Sequence, residues 1–174
     1  MLRFLGVDAA SRTAPSDETA TVRRVVEALE RQEPEAARYI ARFAYILGRV
    51  AHADRTVTRE ETALMERIVA ERGGLSEAQA ILVVEIAKSQ TVLFGATEDY
   101  LVTREFARSA TREQKLALLD CCFAVSATDR DVSAEEDAAI RQIASELGLE
   151  HADFIAARTA YRDDLAVLKR PGPG

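Results

Sequence analysis

Tryptophan is absent from this chain, and cysteine, methionine and histidine appear only twice each. Glycine and proline are scarce as well, at eight and four in 174 residues. That leaves too little turn chemistry for the many hairpins of an all-β fold. No uninterrupted apolar stretch approaches the ~20 residues that a membrane helix needs. Residues 1–16 carry Leu2, Phe4, Leu5 and Val7, but Arg3 and Asp8 interrupt them, so no signal-peptide core forms. An excess of base is lacking too. Lys and Arg total 23 against 29 Asp and Glu, a net charge of −6, whereas a nucleic-acid surface normally needs a basic face. Cys121 and Cys122 are neighbours, an arrangement that structural disulfides rarely use. The expectation is a reduced, cytoplasmic protein with no membrane span and no nucleic-acid partner.

What is present is helical. Hydrophobic residues make up 48% and charged residues 30%, the balance of a globular chain long enough for one domain or two small ones packed as a unit. Asp17 and Glu18 after Ser16 open a first helix that runs to about Gln32 and stops at Pro34. Glu35 to Ala53 follows, with Ile40, Phe43, Leu47 and Val50 on one face. Thr58 opens a third helix, with Leu64, Met65, Ile68 and Val69 inward and Gly73-Gly74 as its stop. Ser76 opens a fourth, whose Ile81, Leu82, Val83, Val84 and Ile86 cover more than one face, as in a central helix. A loop is expected over 91–97 and a short helix from Glu98 to Arg108. A long helix then starts at Thr111, where Thr111-Arg112-Glu113-Gln114 has the form of a capping box.

The chain also repeats itself. A shift of 75 residues carries Asp54 onto Asp129, and the octets there read DRTVTREE and DRDVSAEE, with five of eight positions identical. Phe43, Leu47 and Val50 correspond to Leu118, Cys122 and Val125, and Gly73 to Gly148. With one residue inserted at Gly74, Ile81 aligns with Ile155. The expected fold is all-α: a single bundle of about seven to eight helices built from two three-helix repeats, about 35–89 and 112–165, related by a pseudo-two-fold axis. Residues 17–165 form that domain, with 1–16 and 166–174 as flexible ends.

Two readings of the octet compete. Thr58 with Glu61, and Ser133 with Glu136, are S/T-x-x-E capping boxes, which would make each octet a rigid helix–helix connector, with Val57 and Val132 turned inward. The same carboxylates could hold a hard cation, since Asp54, Glu60 and Glu61 fall within eight residues and Asp129, Asp131, Glu135, Glu136 and Asp137 within nine. An EF-hand is excluded, because Ala134 stands at loop position 6 and Ile140 at position 12. The second loop is the richer in acid. It has Asp131 and Asp137 where the first has Thr56 and Thr62, and Ala134 where the first has Arg59.

Helices ending in "AHADRTVTREE" and "SATDRDVSAEE", then one closing at "ELGL" and running into "HADFIAAR", resemble the tellurite-resistance TerB-like family, in the branch carried by many proteobacteria. The resemblance covers about residues 35–162 and is strongest over 98–162. It implies an all-helical, non-catalytic protein linked to stress or toxic-oxyanion resistance. It also implies divalent-cation binding by signature acids, here Asp54 and Glu61, then Asp129 and Glu136, with Asp131 added by spacing. Calcium, magnesium, manganese and zinc are the cations to consider. The chain departs from the family pattern A-D-G-x-(hydrophobic)-S/T-x-x-E in having Arg55 and Arg130 where the signature has Gly. A guanidinium there could occupy a cation's place, and it works against a turn backbone for which Gly supplies positive φ.

Little else suggests chemistry. His52 is expected to favour the C-terminal end of its helix, and His151 to sit in a first turn. No His/Cys cluster or HExxH exists. By the repeat, Cys121 and Cys122 fall on the apolar side of a helix and are expected as small buried hydrophobes. The resulting expectation is a non-enzymatic module with protein partners, in which a homodimer is allowed. A cation sensor or store is the alternative, and a thiol-based detoxifying enzyme a third reading.

Overall fold

The structure is a computed structural model that describes residues 17–51, 58–89 and 96–165. The expected flexible ends, 1–16 and 166–174, lie outside the described residues, as does most of the loop expected over 91–97. Eight α-helices fill the described span: α1 (Asp17–Glu30), α2 (Pro34–Gly48), α3 (Arg59–Gly73), α4 (Glu77–Ser89), α5 (Ala96–Ser109), α6 (Arg112–Ser126), α7 (Ala134–Glu146) and α8 (His151–Thr159). The all-α fold read from the sequence is thus observed.

Helix starts follow the capping chemistry. Thr58, Thr111 and Ser133 each accept the N–H of the residue three on, while Glu61, Gln114 and Glu136 return to the cap N–H. Among the boundaries that differ from expectation, α5 begins at Ala96, inside the expected 91–97 loop. Pro34 does not stop a helix but opens α2 as its first residue, where its fixed φ suits a helix and its missing N–H is not needed. The same helix ends at Gly48 rather than Ala53, because Arg49 and Val50 bond to carbonyls three residues back, Ile46 and Leu47.

The core runs the length of the bundle. Ile40, Phe43, Ile46 and Leu47 of α2 meet Val69 of α3, Val83 and Val84 of α4, and Leu118, Leu119 and Cys122 of α6. Helix α4 packs against α1, α2 and α3, which accounts for its apolar residues on several faces. Ile81 is the exception, 42% exposed. Two aromatic groups anchor the ends: Tyr39, Phe43 and Phe106, with centroids 5.4–6.4 Å apart, and Phe123, Phe154 and Tyr161, with Phe123 at 5.8 and 5.6 Å from the other two. Gly73 lets α3 lie close to α2 and α6, since a Cβ there would stand 3.3 Å from Phe43 Cζ and 3.5 Å from Cys121 Sγ. Helix α5 packs against both α2 and α7, and Arg49 at the end of α2 reaches Glu146 of α7 at 2.6 Å.

Candidate functional site: the two acidic loops

Each octet joins a long helix to the next, so backbone geometry decides where its carboxylates point. In the first loop, Asp54, Arg55, Thr56 and Val57 lie outside the described residues, and so does His52. Its exit is described. The Glu61 carboxylate accepts the Thr58 N–H at 2.8 Å, and Thr58 Oγ1 accepts the Glu61 N–H at 3.1 Å. Glu61, a signature acid by resemblance, is held as the closing half of a cap.

The second loop is described almost in full. Past Ser126 a 3₁₀ turn, Ala127–Asp129, carries the chain to Arg130, whose N–H bonds Ala127 O at 2.9 Å. Arg130 sits in the left-handed region, at φ 59° and ψ 29°, alone among the described non-glycine residues in having positive φ. Asp131 is exposed, and the side chain of Asp129 lies outside the described set. Val132 is buried as expected, at 1% exposure, and its N–H donates to Asp164 O at 2.8 Å. An isolated parallel bridge between Val132 and Leu165 completes that contact, so the segment after α8 holds the acidic loop from the outside.

Beyond Val132 the acids separate. Glu136 accepts the Ser133 N–H at 2.7 Å and closes the second box. Glu135 is exposed at the start of α7. Asp137 is buried, and Arg158 of α8 grips both its oxygens, Nε at 2.7 Å and Nη2 at 3.2 Å. It is a bidentate clamp between α7 and α8, not a member of a cation shell. Among the described residues no group of three or more His, Cys, Asp or Glu is arranged to hold a metal ion. The described acids of the octets therefore do not fit a cation site by themselves.

The vicinal thiols are sealed. Cys121 and Cys122 are both fully buried and free. Burial pushes the Cys122 thiol up to about 12, and Cys121 goes up further, with the neighbouring Cys122 thiol and Asp120 adding to the effect of burial. The fold does bring basic groups near them that the local sequence does not contain, Arg72 beside Cys121 and Arg49 beside Cys122, but their pull is smaller than the cost of desolvating a thiolate. His151 opens α8 and is exposed, its ring 6.2 Å from that of Phe154.

Two polar clusters went unread in the sequence. Arg49 donates to Thr103 Oγ1 at 2.8 Å and to Glu146 at 2.6 and 3.4 Å, while Tyr45 Oη donates to Asp99 at 2.8 Å. Asp120 takes Arg72 at 2.9 Å and Tyr161 Oη at 2.8 Å. The available signal was a charge set inside an apolar run, Arg49 after Ile46-Leu47-Gly48 and Asp120 between Leu119 and Cys121.

Residues 43–159 match the family described as tellurite resistance protein TerB. The chain belongs to the TerB family. The matched span takes in both octets and reaches from the middle of α2 to the end of α8. No curated protein and no solved structure matches. Within this TerB chain, Arg130 resolves the question raised by its replacement of the signature glycine, because the backbone there is left-handed with an arginine in place. No described helix of this TerB protein is long and apolar enough to cross a membrane.

Proposed function

We propose that this TerB-family chain is a non-enzymatic, cytoplasmic helical module that presents charged helical surfaces to protein partners in a tellurite- or stress-resistance response. The observation that carries this reading is the fate of the groups that could react. Both thiols are fully buried, Glu61 and Glu136 close helix caps, and Asp137 is clamped by Arg158. A surface made mainly of charged helix faces is what the described chain offers to other molecules. The test uses cells that lack the protein and are challenged with tellurite, complemented with Cys121→Ala/Cys122→Ala. Full complementation supports the reading. Failure by a variant that retains its helical content and its midpoint would favour thiol chemistry instead.

A second reading, divalent-cation binding at the acidic loops, is favoured by one observation. A bulky non-glycine residue held at positive φ marks a backbone that its surroundings impose, and such positions cluster at functional sites. Calorimetry with Ca²⁺, Mg²⁺, Mn²⁺ and Zn²⁺ separates the two readings. In the cation reading Asp129→Asn with Asp131→Asn abolishes the heat, while Asp54→Asn leaves most of it. A flat titration with all four ions ends that reading.

A further inference from the structure

Helices α3, α4, α6 and α7 start in the same way, yet only α3 and α7 follow an octet. Thr58 with Glu61 opens α3 and Ser133 with Glu136 opens α7, while Ser76 with Gln79 opens α4 and Thr111 with Gln114 opens α6. In the octet pair the glutamate Oε2 accepts the cap N–H at 2.8 and 2.7 Å, and the cap hydroxyl accepts the return N–H at 3.1 Å in both. In the other pair the glutamine Oε1 accepts the cap N–H at 3.1 and 2.8 Å, and the hydroxyl accepts at 3.2 Å in both. A neutral amide oxygen thus closes the box as a carboxylate oxygen does, within one chain. Nothing in these bonds requires the charge of the octet glutamates.

By resemblance Glu61 and Glu136 are signature acids of a cation site. We infer that in this chain they are cap residues, replaceable by glutamine, and contribute no oxygen to a cation. Each already gives Oε2 to its cap N–H. A cation on the other oxygen of Glu136 needs further acids beside it, since calcium takes about 6–8 oxygens. The next acid along the chain, Asp137, has both its oxygens on Arg158. No group of three or more His, Cys, Asp or Glu among the described residues is arranged to hold a metal ion. What the charge does supply is local, because a carboxylate in the first turn lies at the positive end of the helix dipole, a small gain that glutamine lacks. The inference goes beyond the functional reading above and does not rest on it. It leaves Asp129 and Asp131 as the acids on which cation binding stands or falls.

The test compares Glu61→Gln/Glu136→Gln with Glu61→Ala/Glu136→Ala in the full chain. The glutamine pair is expected to keep its helical content and to unfold within about 4 °C of the unaltered chain, the scale of two lost charge–dipole contacts. The alanine pair, which also loses both bonds to the cap N–H, is expected to fall further. Thermal midpoint and calorimetric heat are then followed with Ca²⁺, Mg²⁺, Mn²⁺ and Zn²⁺. The unaltered chain and the glutamine pair are expected to respond alike to each ion. A response that the unaltered chain shows and the glutamine pair loses overturns the inference. So does a glutamine pair that unfolds as early as the alanine pair, since the cap would then need the charge. A flat titration in both forms ends the cation reading and not this one, which the stability comparison then decides.

Discussion

Arg49 offers the sharpest test of how this bundle is held together. Its side chain is 11% exposed and that of its partner Glu146 8%, so both charges are largely withdrawn from water. Arg49→Met keeps the aliphatic stem but strands Glu146 with Gln142 as a remaining donor at 2.9 Å, and removes the donor to Thr103 Oγ1. Breaking a buried pair by removing one member costs about 3–5 kcal/mol. With Gln142 still in place the lower end applies, so urea denaturation followed by circular dichroism should show a loss of about 3 kcal/mol. At this chain length each kcal/mol moves the midpoint by about 2–4 °C, so the thermal transition should fall by about 6–12 °C. Arg49→Met with Glu146→Leu should recover most of the loss, because an apolar replacement of a buried pair is close to neutral. A single-variant loss below about 1 kcal/mol, the value of a surface pair, would refute the reasoning. So would a double variant as unstable as the sum of its singles. The same pair sets a pH dependence. Burial pushes Glu146 up, but hydrogen bonds from Arg49 and Gln142 outweigh it and leave the carboxyl below its ordinary 4.5. A depressed carboxyl contributes stability that is fully present above its unfolded value and is lost as pH falls through its folded one. Stability should therefore decline as pH drops below about 4.5, and Glu146→Gln should flatten that part of the acid limb.

Three further outcomes are expected. Arg130→Gly should stabilise the chain by about 0.5–1 kcal/mol in urea denaturation, since left-handed geometry costs an ordinary residue about 1–2 kcal/mol and glycine returns part of that through its freer unfolded chain. Unchanged or lower stability would show that the side chain of Arg130 contributes more than its backbone costs. Asp137→Ala should lose about 2–3 kcal/mol by releasing the bidentate Arg158 between α7 and α8, with Glu135→Ala within about 0.5 kcal/mol of the unaltered chain; equal effects would contradict the assignment of the clamp. Iodoacetamide at pH 8 should leave Cys121 and Cys122 unmodified in the native protein and alkylate both in denaturant, as read by mass; native alkylation would contradict their burial.

The fold was legible where the chain uses short-range signals. Three capping boxes could be located from residue types alone because each is closed within four residues of sequence, and Val132 could be turned inward because it directly precedes one. Pro34 is ambiguous in sequence because the same residue that breaks a helix interior also starts a helix, and only the position of Glu33 outside α2 distinguishes the two. The polar clusters were illegible for a different reason. Arg49 and Glu146 are separated by 97 residues, and Arg72 and Asp120 by 48, so no window of sequence brings them together. The acids of the second octet show the reverse case. They are adjacent in sequence, yet on the first turn of α7 successive side chains diverge, and Glu136 and Asp137 end in a cap and a clamp.

That divergence changes what the arginine in the second loop means. The loop is fixed at both sides: by the bond from Arg130 N–H back to Ala127, and by Val132, which is buried, bonded to Asp164 and followed by the Ser133 box. Only Asp131 lies between Arg130 and Val132, so the chain has to reverse at Arg130 within a very short span. Left-handed backbone is the conformation that achieves this whatever the side chain, which is why the turn needs no glycine to form. Arg130→Gly therefore exchanges a guanidinium-bearing side chain for a hydrogen at a position whose left-handed backbone either residue can hold. The cation question at this loop is then a question about charge at one position, with the backbone held constant. Arg130→Gly poses it directly: if titration with divalent cations stays flat in both forms, the acids of the octet belong to the architecture alone. If heat appears only in the glycine form, the arginine is what separates this chain from a cation-binding loop.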